Sequence, residues 1–254
     1  MYLTTQALVL RVTACNDTDG LLTLLTPNHG KLTAKARGLR RKNSPLVAPC
    51  QLLAYGEFTL FEYRSMYTVN EAHSIELFTP LRADLEKLSL GTYFAQAAEL
   101  LSQEDLPNPE LLSLLLNCLY ALSRLDTPQA LVKAVFELRG ACLAGYEPDL
   151  YGCHRCGNPF PDRIDLSEGR LECNCCRDHS STGIRMPISS GMLEAMHYIT
   201  TCDAKKLFSF KIGDETIEQL SAVTESYLST QLERGFSALD FYKSLLIPSA
   251  GIQQ

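Results

Sequence analysis

Cys153-His154-Arg155-Cys156 and, sixteen residues later, Cys173-Asn174-Cys175-Cys176 form the stretch on which the reading of this chain turns. Pairing Cys153 with Cys156 and Cys173 with Cys176 gives C-x2-C-x16-C-x2-C, within the window of a four-cysteine zinc site. Each two-residue spacer aims two thiolates at one point, and two such knuckles complete a tetrahedron around one Zn2+. Gly152 and Gly157 bracket the first knuckle, where the backbone bends tightly, and Asn158-Pro159 is a turn dipeptide. A segment this short cannot hold itself together by apolar burial. Metal binding, on the order of 10–16 kcal/mol in small zinc modules, supplies that stabilisation. Four thiolates leave no position open for water, which makes the metal structural. Cys175 is a fifth cysteine able to replace Cys173 or Cys176, although the spacing favours those two. Four unrelated buried cysteines, or two disulfides, are the competing explanation. His154 and His179 read as bystanders.

Outside this segment, the five remaining cysteines (Cys15, Cys50, Cys118, Cys142 and Cys202) are scattered singly, as small buried hydrophobes in a reducing compartment are. The N-terminal residues lack a charged region followed by an apolar stretch, so no signal peptide is expected. The least charged apolar run, Leu111 to Ser123, is too short to cross a bilayer. The chain therefore reads as soluble and cytoplasmic, with no membrane partner. Its 254 residues allow more than one module. The net charge of −6 is unevenly spread: residues 1–80 carry eight Lys/Arg against six Asp/Glu, and the remainder fifteen against twenty-three. That asymmetry points to two surfaces with different partners.

Up to about Glu76 the pattern is that of strands. Ala7 to Val12, Leu21 to Thr26, Lys31 to Arg37, Gln51 to Tyr63 and Met66 to Ile75 are β-prone runs, punctuated by turn-rich sequence such as Pro27-Asn28-His29-Gly30 and Arg64-Ser65. Five strands with no helix among them predict a small closed or nearly closed barrel, and the OB-fold is the best-known five-stranded barrel. After Phe78 the period becomes helical. Thr79-Pro80, Asn108-Pro109 and Thr127-Pro128 read as caps followed by a first-turn proline. The first helix is predicted to reach Ser102; the second, Glu110 to Leu125, is apolar nearly all round and predicted to be the buried central one. The third ends at Gly145, Ser189 or Ser190 opens another near Pro187 to Ile199, and Asp214–Glu233 (stopped by Gly235) and Ser237–Leu246 follow. The fold class is thus α+β: an OB barrel over 1–80, a helical body over 81–149 and 183–254 read as one bundle, and a zinc module over 150–182 inserted in it.

A second informative feature is a run of cations. Lys31, Lys35, Arg37, Arg40, Arg41 and Lys42 fall within twelve residues that contain no acid. Lys31, Lys35 and Arg37 share strand parity and emerge on one face, and Arg40, Arg41 and Lys42 extend the patch along a loop. Such a surface suits a phosphate backbone; a solvated face kept charged for solubility is the plainer explanation. Phe58, Phe61, Tyr63 and Tyr67 have the chemistry to stack on bases, but about half must point into the barrel. No phosphate loop, G-x-S-x-G or H-E-x-x-H motif occurs, and the five histidines form no motif, so an enzyme is not the expected reading.

Taken along its length, the chain resembles the RecO family of bacterial recombination mediators. The resemblance is carried by Ala7-Leu8-Val9-Leu10, by Leu21 to Thr26 running into Gly30-Lys31, and by Ala36-Arg37-Gly38 with Arg40-Arg41-Lys42. It continues in Arg139 to Gly145-Tyr146-Glu147-Pro148-Asp149-Leu150 and in the two cysteine pairs. It implies an OB-fold that binds single- and double-stranded DNA, a helical domain and a zinc module. It further implies that the protein anneals strands and, with RecR, remodels single-stranded-DNA-binding protein so that RecA-type recombinase can load. A zinc-ribbon interaction adaptor is the rival reading; it shares the cysteines but has no need of the basic strand and loop.

Overall fold

The computed structural model describes residues 1–176 and 183–247. His179 and the last residues of the expected zinc module lie outside the described residues. The chain opens with β1 (Tyr2–Ala14), β2 (Gly20–Leu25), β3 (Lys31–Ala36), β4 (Tyr55–Tyr63) and β5 (Met66–Glu76). These close into the expected barrel in the order β1-β2-β3-β5-β4, with β3 parallel to β5 and β1 paired to both β2 and β4. On β3 the alternation is plain: Leu32, Ala34 and Ala36 point inward, and Lys31, Thr33 and Lys35 outward. Their short side chains share the interior with Phe58, Leu60 and Val69.

The fourth strand begins later than its sequence suggests. Gln51 to Ala54 form turns, with Leu53 at φ 62° donating its N–H to Val9 O at 2.9 Å and Ala54 O accepting from Val9 N at 3.0 Å. The segment between β3 and β4 folds back so that Leu39, Leu46, Cys50 and Ala54 enter the barrel core. The apolar residues thus complete a core that the strands alone leave open, and the cations of the same segment stay outside.

Next come α1 (Thr79–Arg82), α2 (Leu85–Leu101), α3 (Pro109–Arg124), α4 (Gln129–Leu143), β6 (Asp149–Cys153), β7 (Arg163–Asp165), β8 (Arg170–Glu172) and β9 (Arg185–Pro187). The chain continues through α5 (Ser190–Thr201), α6 (Asp214–Leu232) and α7 (Ser237–Leu246). Of the three cap-and-proline signals, Asn108 behaves as read: its side chain accepts from Leu111 N at 3.0 Å, with Pro109 in the first turn. Thr79 lies inside α1, capped at Phe78, and Pro128 itself holds the cap position of α4. The helix predicted to run unbroken to Ser102 is interrupted after Arg82, because Asp84 accepts from Lys87 N at 3.1 Å and starts α2 afresh. Ser189 caps α5, and Gly145 at φ 91° follows α4 with Tyr146 N–H bonded to Ala141 O, the left-handed ending expected there. α6 instead turns at Glu233, φ 50°, ahead of Gly235.

Contacts gather the chain into two units, Met1–Leu125 with α7, and Asp126–Gly235. The helices that the sequence pattern joins in one bundle are therefore divided. In the first unit α2 packs on α3, α7 and the outer face of β1. That second packing face is why Ala7-Leu8-Val9-Leu10 is buried at every position instead of alternating. Gly91 permits the close approach: a Cβ there would come 3.0 Å from Leu53 and 3.3 Å from Leu119.

In the second unit α4 packs on α5 and α6, and the short strands form a sheet ordered β6-β8-β7-β9 that the sequence pattern did not announce. The helix buried all round is α4, whereas α3 leaves Tyr120 exposed. α4 even buries charge: Lys133 is 3% exposed and Glu137 0%. Lys133 Nζ lies 3.0 Å from Glu137 Oε1, 2.9 Å from Glu225 Oε2 and 3.1 Å from Ser221 O, and Thr224 Oγ1 donates to Glu137 Oε2 at 2.8 Å. Every polar group of this cluster has partners, as burial of charge demands.

Candidate metal centre and nucleic-acid face

Parallel pairing of β6 with β8 sets Cys153 opposite Leu171 and so brings the first knuckle beside Cys173. The Sγ atoms of Cys153, Cys156 and Cys173 all lie within 4.8 Å of one another, with Cys156 to Cys173 at 4.0 Å. Thiolates bound tetrahedrally at about 2.3 Å from zinc sit about 3.8 Å apart, so the cluster has the dimensions and the donor chemistry of a zinc site. The two glycines act as expected: Gly152 takes φ 110° and Gly157 φ 71°, and a Cβ on Gly152 would stand 2.9 Å from Asn158 O. Asn158 Nδ2 in turn donates to Cys173 Sγ at 3.2 Å.

Burial raises the Cys153 thiol, but the backbone N–H groups of Cys156, Arg155 and Cys173 outweigh it and bring it down to about 6. Cys173 is pushed up to about 11 by burial and by its neighbouring thiols. One thiolate forms readily and further negative charge is resisted, which a bound dication relieves. Cys176, on a 3-10 turn spanning Asn174–Cys176, lies beside the three-sulfur set and not within it. Its thiol is pushed up chiefly by that of Cys156. Exposed Cys175 has its Sγ 3.8 Å from that of Cys176. None of the ten cysteines forms a disulfide. His154 Nδ1 is engaged with Leu171 O at 3.1 Å.

The sheet beside the cysteines is braced by an ion cluster that the pattern missed. Arg185 of β9 donates through Nε to Glu172 Oε2 at 2.7 Å and lies 3.4 Å from Asp165 Oδ2, all three nearly buried. The only trace in sequence is charge at positions whose neighbours are apolar.

The six cations of the barrel are not equivalent. Lys31 Nζ donates to Glu99 O at 2.8 Å, Lys35 pairs with Asp19 at 3.1 Å, and Arg40 Nη1 donates to Asn16 O at 3.1 Å. Arg37, Arg41 and Lys42 are exposed, and among the described residues no carboxylate pairs with them. Asp19 organises the start of the basic turn: it accepts from Gly38 N at 2.8 Å and from Lys35. The Gly38 N–H first, then Lys35 and Asn16, hold its carboxyl well below the usual range. Arg40, Arg41 and Lys42 also edge an apolar hollow of about 720 Å3 with Val12, Val47 and Leu52. The basic face is therefore a patch of three anchored members, Lys31 and Lys35 on β3 and Arg40 on the turn, and three exposed ones, Arg37, Arg41 and Lys42.

Two family models, described as recombination protein O N terminal and C terminal, match residues 1–78 and 82–240. The chain belongs to the RecO family. It is 35% identical over 246 residues to the DNA repair protein RecO of Acetivibrio thermocellus, covering 96% of this chain and 97% of that one. The RecO protein of Alkaliphilus metalliredigens is 30% identical over 96% of this chain and 100% of its own, and that of Heliobacterium modesticaldum 32% identical over 90% and 84%. The RecO models meet where β5 gives way to α1, whereas the contacts keep α1–α3 with the barrel. Among the described residues no helix is long and apolar enough to cross a membrane.

Proposed function

We propose that this RecO-family DNA repair protein is a recombination mediator in the bacterial cytoplasm, associated with the nucleoid and without an enzymatic step of its own. It binds single- and double-stranded DNA through the barrel and anneals complementary strands. With RecR, it clears single-stranded-DNA-binding protein so that RecA-type recombinase loads. The observation that carries the reading is the exposed trio Arg37, Arg41 and Lys42, free of carboxylate partners on a closed barrel, in a member of a DNA repair family. Cations unpaired by the protein are the ones whose pairing with phosphate releases counterions without first breaking an ion pair. Lys31, Lys35 and Arg40 complete the surface as anchored members. Annealing follows when one positive surface screens the repulsion of two backbones.

Cys153, Cys156, Cys173 and Cys176 would hold one structural Zn2+, with Cys175 as neighbour. Bound there, the metal would cross-link the strands that carry these cysteines and would have a structural role. The acidic part of the chain beyond residue 80 offers the protein-partner surface. A pull-down from bacterial extract tests the reading as a whole: RecR and single-stranded-DNA-binding protein are expected together. Oligonucleotides of unrelated sequence are expected to bind with similar affinity, weakening as salt rises. Binding insensitive to salt, with neither partner captured, would return the chain to the status of a zinc-ribbon adaptor.

A further inference from the structure

Of Phe58, Phe61, Tyr63 and Tyr67, the aromatic residues that the sequence offers for stacking on bases, the fold withdraws two. Phe58 is inside the barrel core and Tyr67 packs partly buried against it. Phe61 and Tyr63 face outward, 38% and 60% exposed. Tyr63 already has a cation over its ring, with the Arg64 guanidinium 5.1 Å from the centroid. Phe61 has a different companion, Tyr2, directly opposite it in the β1–β4 ladder and 62% exposed. The two ring centroids are 5.2 Å apart with planes tilted by 53°.

The register continues this line. Phe61 pairs with Thr68 of β5, and Thr68 with Lys35 of β3, so one row across the outside of the barrel reads Tyr2, Phe61, Thr68, Lys35. Arg37 stands two residues beyond Lys35. Tyr2, Phe61, Thr68 and Arg37 line a common groove of about 860 Å3 with Ser44 and Pro45 of the basic turn. An open aromatic pair and an unpaired cation in one groove match the two halves of a nucleotide, a flat apolar base and an anionic phosphate. Glu71, also in the groove, is 3.0 Å from His73 Nε2 and repels phosphate, which directs the backbone along the Arg37 side.

We propose that Tyr2 and Phe61 form a stacking platform for an unpaired base of single-stranded DNA, with Arg37 holding the adjoining phosphate. The inference rests on the DNA-binding reading and adds selectivity to it. Phosphate contacts serve single strands and duplex alike, whereas a stacking ring needs a base whose face is uncovered. Every base has such a face, so the platform is indifferent to sequence.

The chain contains no tryptophan, so Phe61→Trp places one indole reporter on the platform. Its fluorescence should be quenched at saturating oligothymidylate and unchanged at saturating abasic oligonucleotide of the same length. The double variant Tyr2→Ala/Phe61→Ala should bind oligothymidylate about 5- to 150-fold more weakly. Its affinity for duplex and for the abasic strand should hold, as should the salt slope. An unquenched indole in a protein that still binds oligothymidylate refutes the platform and leaves the DNA-binding reading intact. Equal weakening toward duplex and abasic strand means that the rings only support the barrel, and overturns the proposal. Wild-type protein that binds none of the three DNAs defeats the underlying reading and the platform with it.

Discussion

Leu22, Leu24, Ala34, Phe58 and Leu60 fill the barrel with hydrocarbon and leave Arg37, Arg41 and Lys42 outside, whereas Asp126–Gly235 buries Lys133, Glu137, Asp165 and Glu172. In the first unit, charge and fold are separable. Barrel closure by backbone hydrogen bonds and apolar packing does not depend on the exposed cations, so these are available to a ligand. In the second they are inseparable. Each buried ion is tolerated only because a named partner faces it, and the thiols of Cys153, Cys156 and Cys173 are gathered closely enough to hold a metal ion. The same residue type, lysine, is an exposed surface cation at position 42 and an internal strut at position 133.

The strongest way to break this contrast is to take the metal away. Cys153→Ser, or chelation in reduced protein, should remove one Zn2+ per chain and unfold mainly the 150–182 segment, a loss on the order of 10–16 kcal/mol by the standard of small zinc modules. Metal analysis and cysteine alkylation read the two effects, and barrel DNA binding should persist. Cys175→Ser should leave metal content unchanged; a loss would move the fourth ligand from Cys176 to Cys175.

Next in size is the strut. Lys133→Met takes the ammonium away from buried Glu137 and from Glu225, and denaturant unfolding should show a loss of about 3–5 kcal/mol. Adding Glu137→Leu should recover much of it, since an apolar pair of similar volume replaces a buried ion pair at little cost. Failure of the double variant to recover would mean that Thr224 and Ser221 depend on these charges for their own placement.

Neutralising Arg40, Arg41 and Lys42 to alanine should do the reverse on the barrel. Stability should change by only about 0.5 kcal/mol. Binding to unrelated single strands should weaken equally, with the log affinity against log salt slope flattened by roughly 0.7 for each phosphate no longer neutralised. Arg41 and Lys42 should account for most of it, because Arg40 is already bonded to Asn16 O.

The smallest effect is a pH signature. Because the folded pKa of Asp19 is depressed, its contribution to stability is complete above the unfolded value near about 4 and is lost as pH falls through the folded value. Asp19→Asn should therefore flatten thermal stability between about pH 4 and the acid limit while leaving its slope near neutrality unchanged.

Local pattern was enough for much of this molecule. The strand alternation of β3, the Arg64-Ser65 hairpin and the Asn108 and Ser189 caps are encoded within a few residues, because turn geometry, side-chain parity and capping are short-range effects. They settle which face a side chain takes and where an element ends. They do not settle what that face meets. Tyr2 comes to Phe61 only through the β1–β4 register, Lys133 to Glu225 only through the packing of α4 on α6, and Arg185 to Asp165 and Glu172 only through a sheet of three-residue strands. Even the leucine-rich helices, read alike from their periodicity, were sorted between two units by contacts with distant segments. Apolar burial is non-directional and gives a helix a buried side without naming its neighbour. The neighbour is chosen when barrel closure, sheet pairing and ion pairing are satisfied together, and that choice belongs to the tertiary structure.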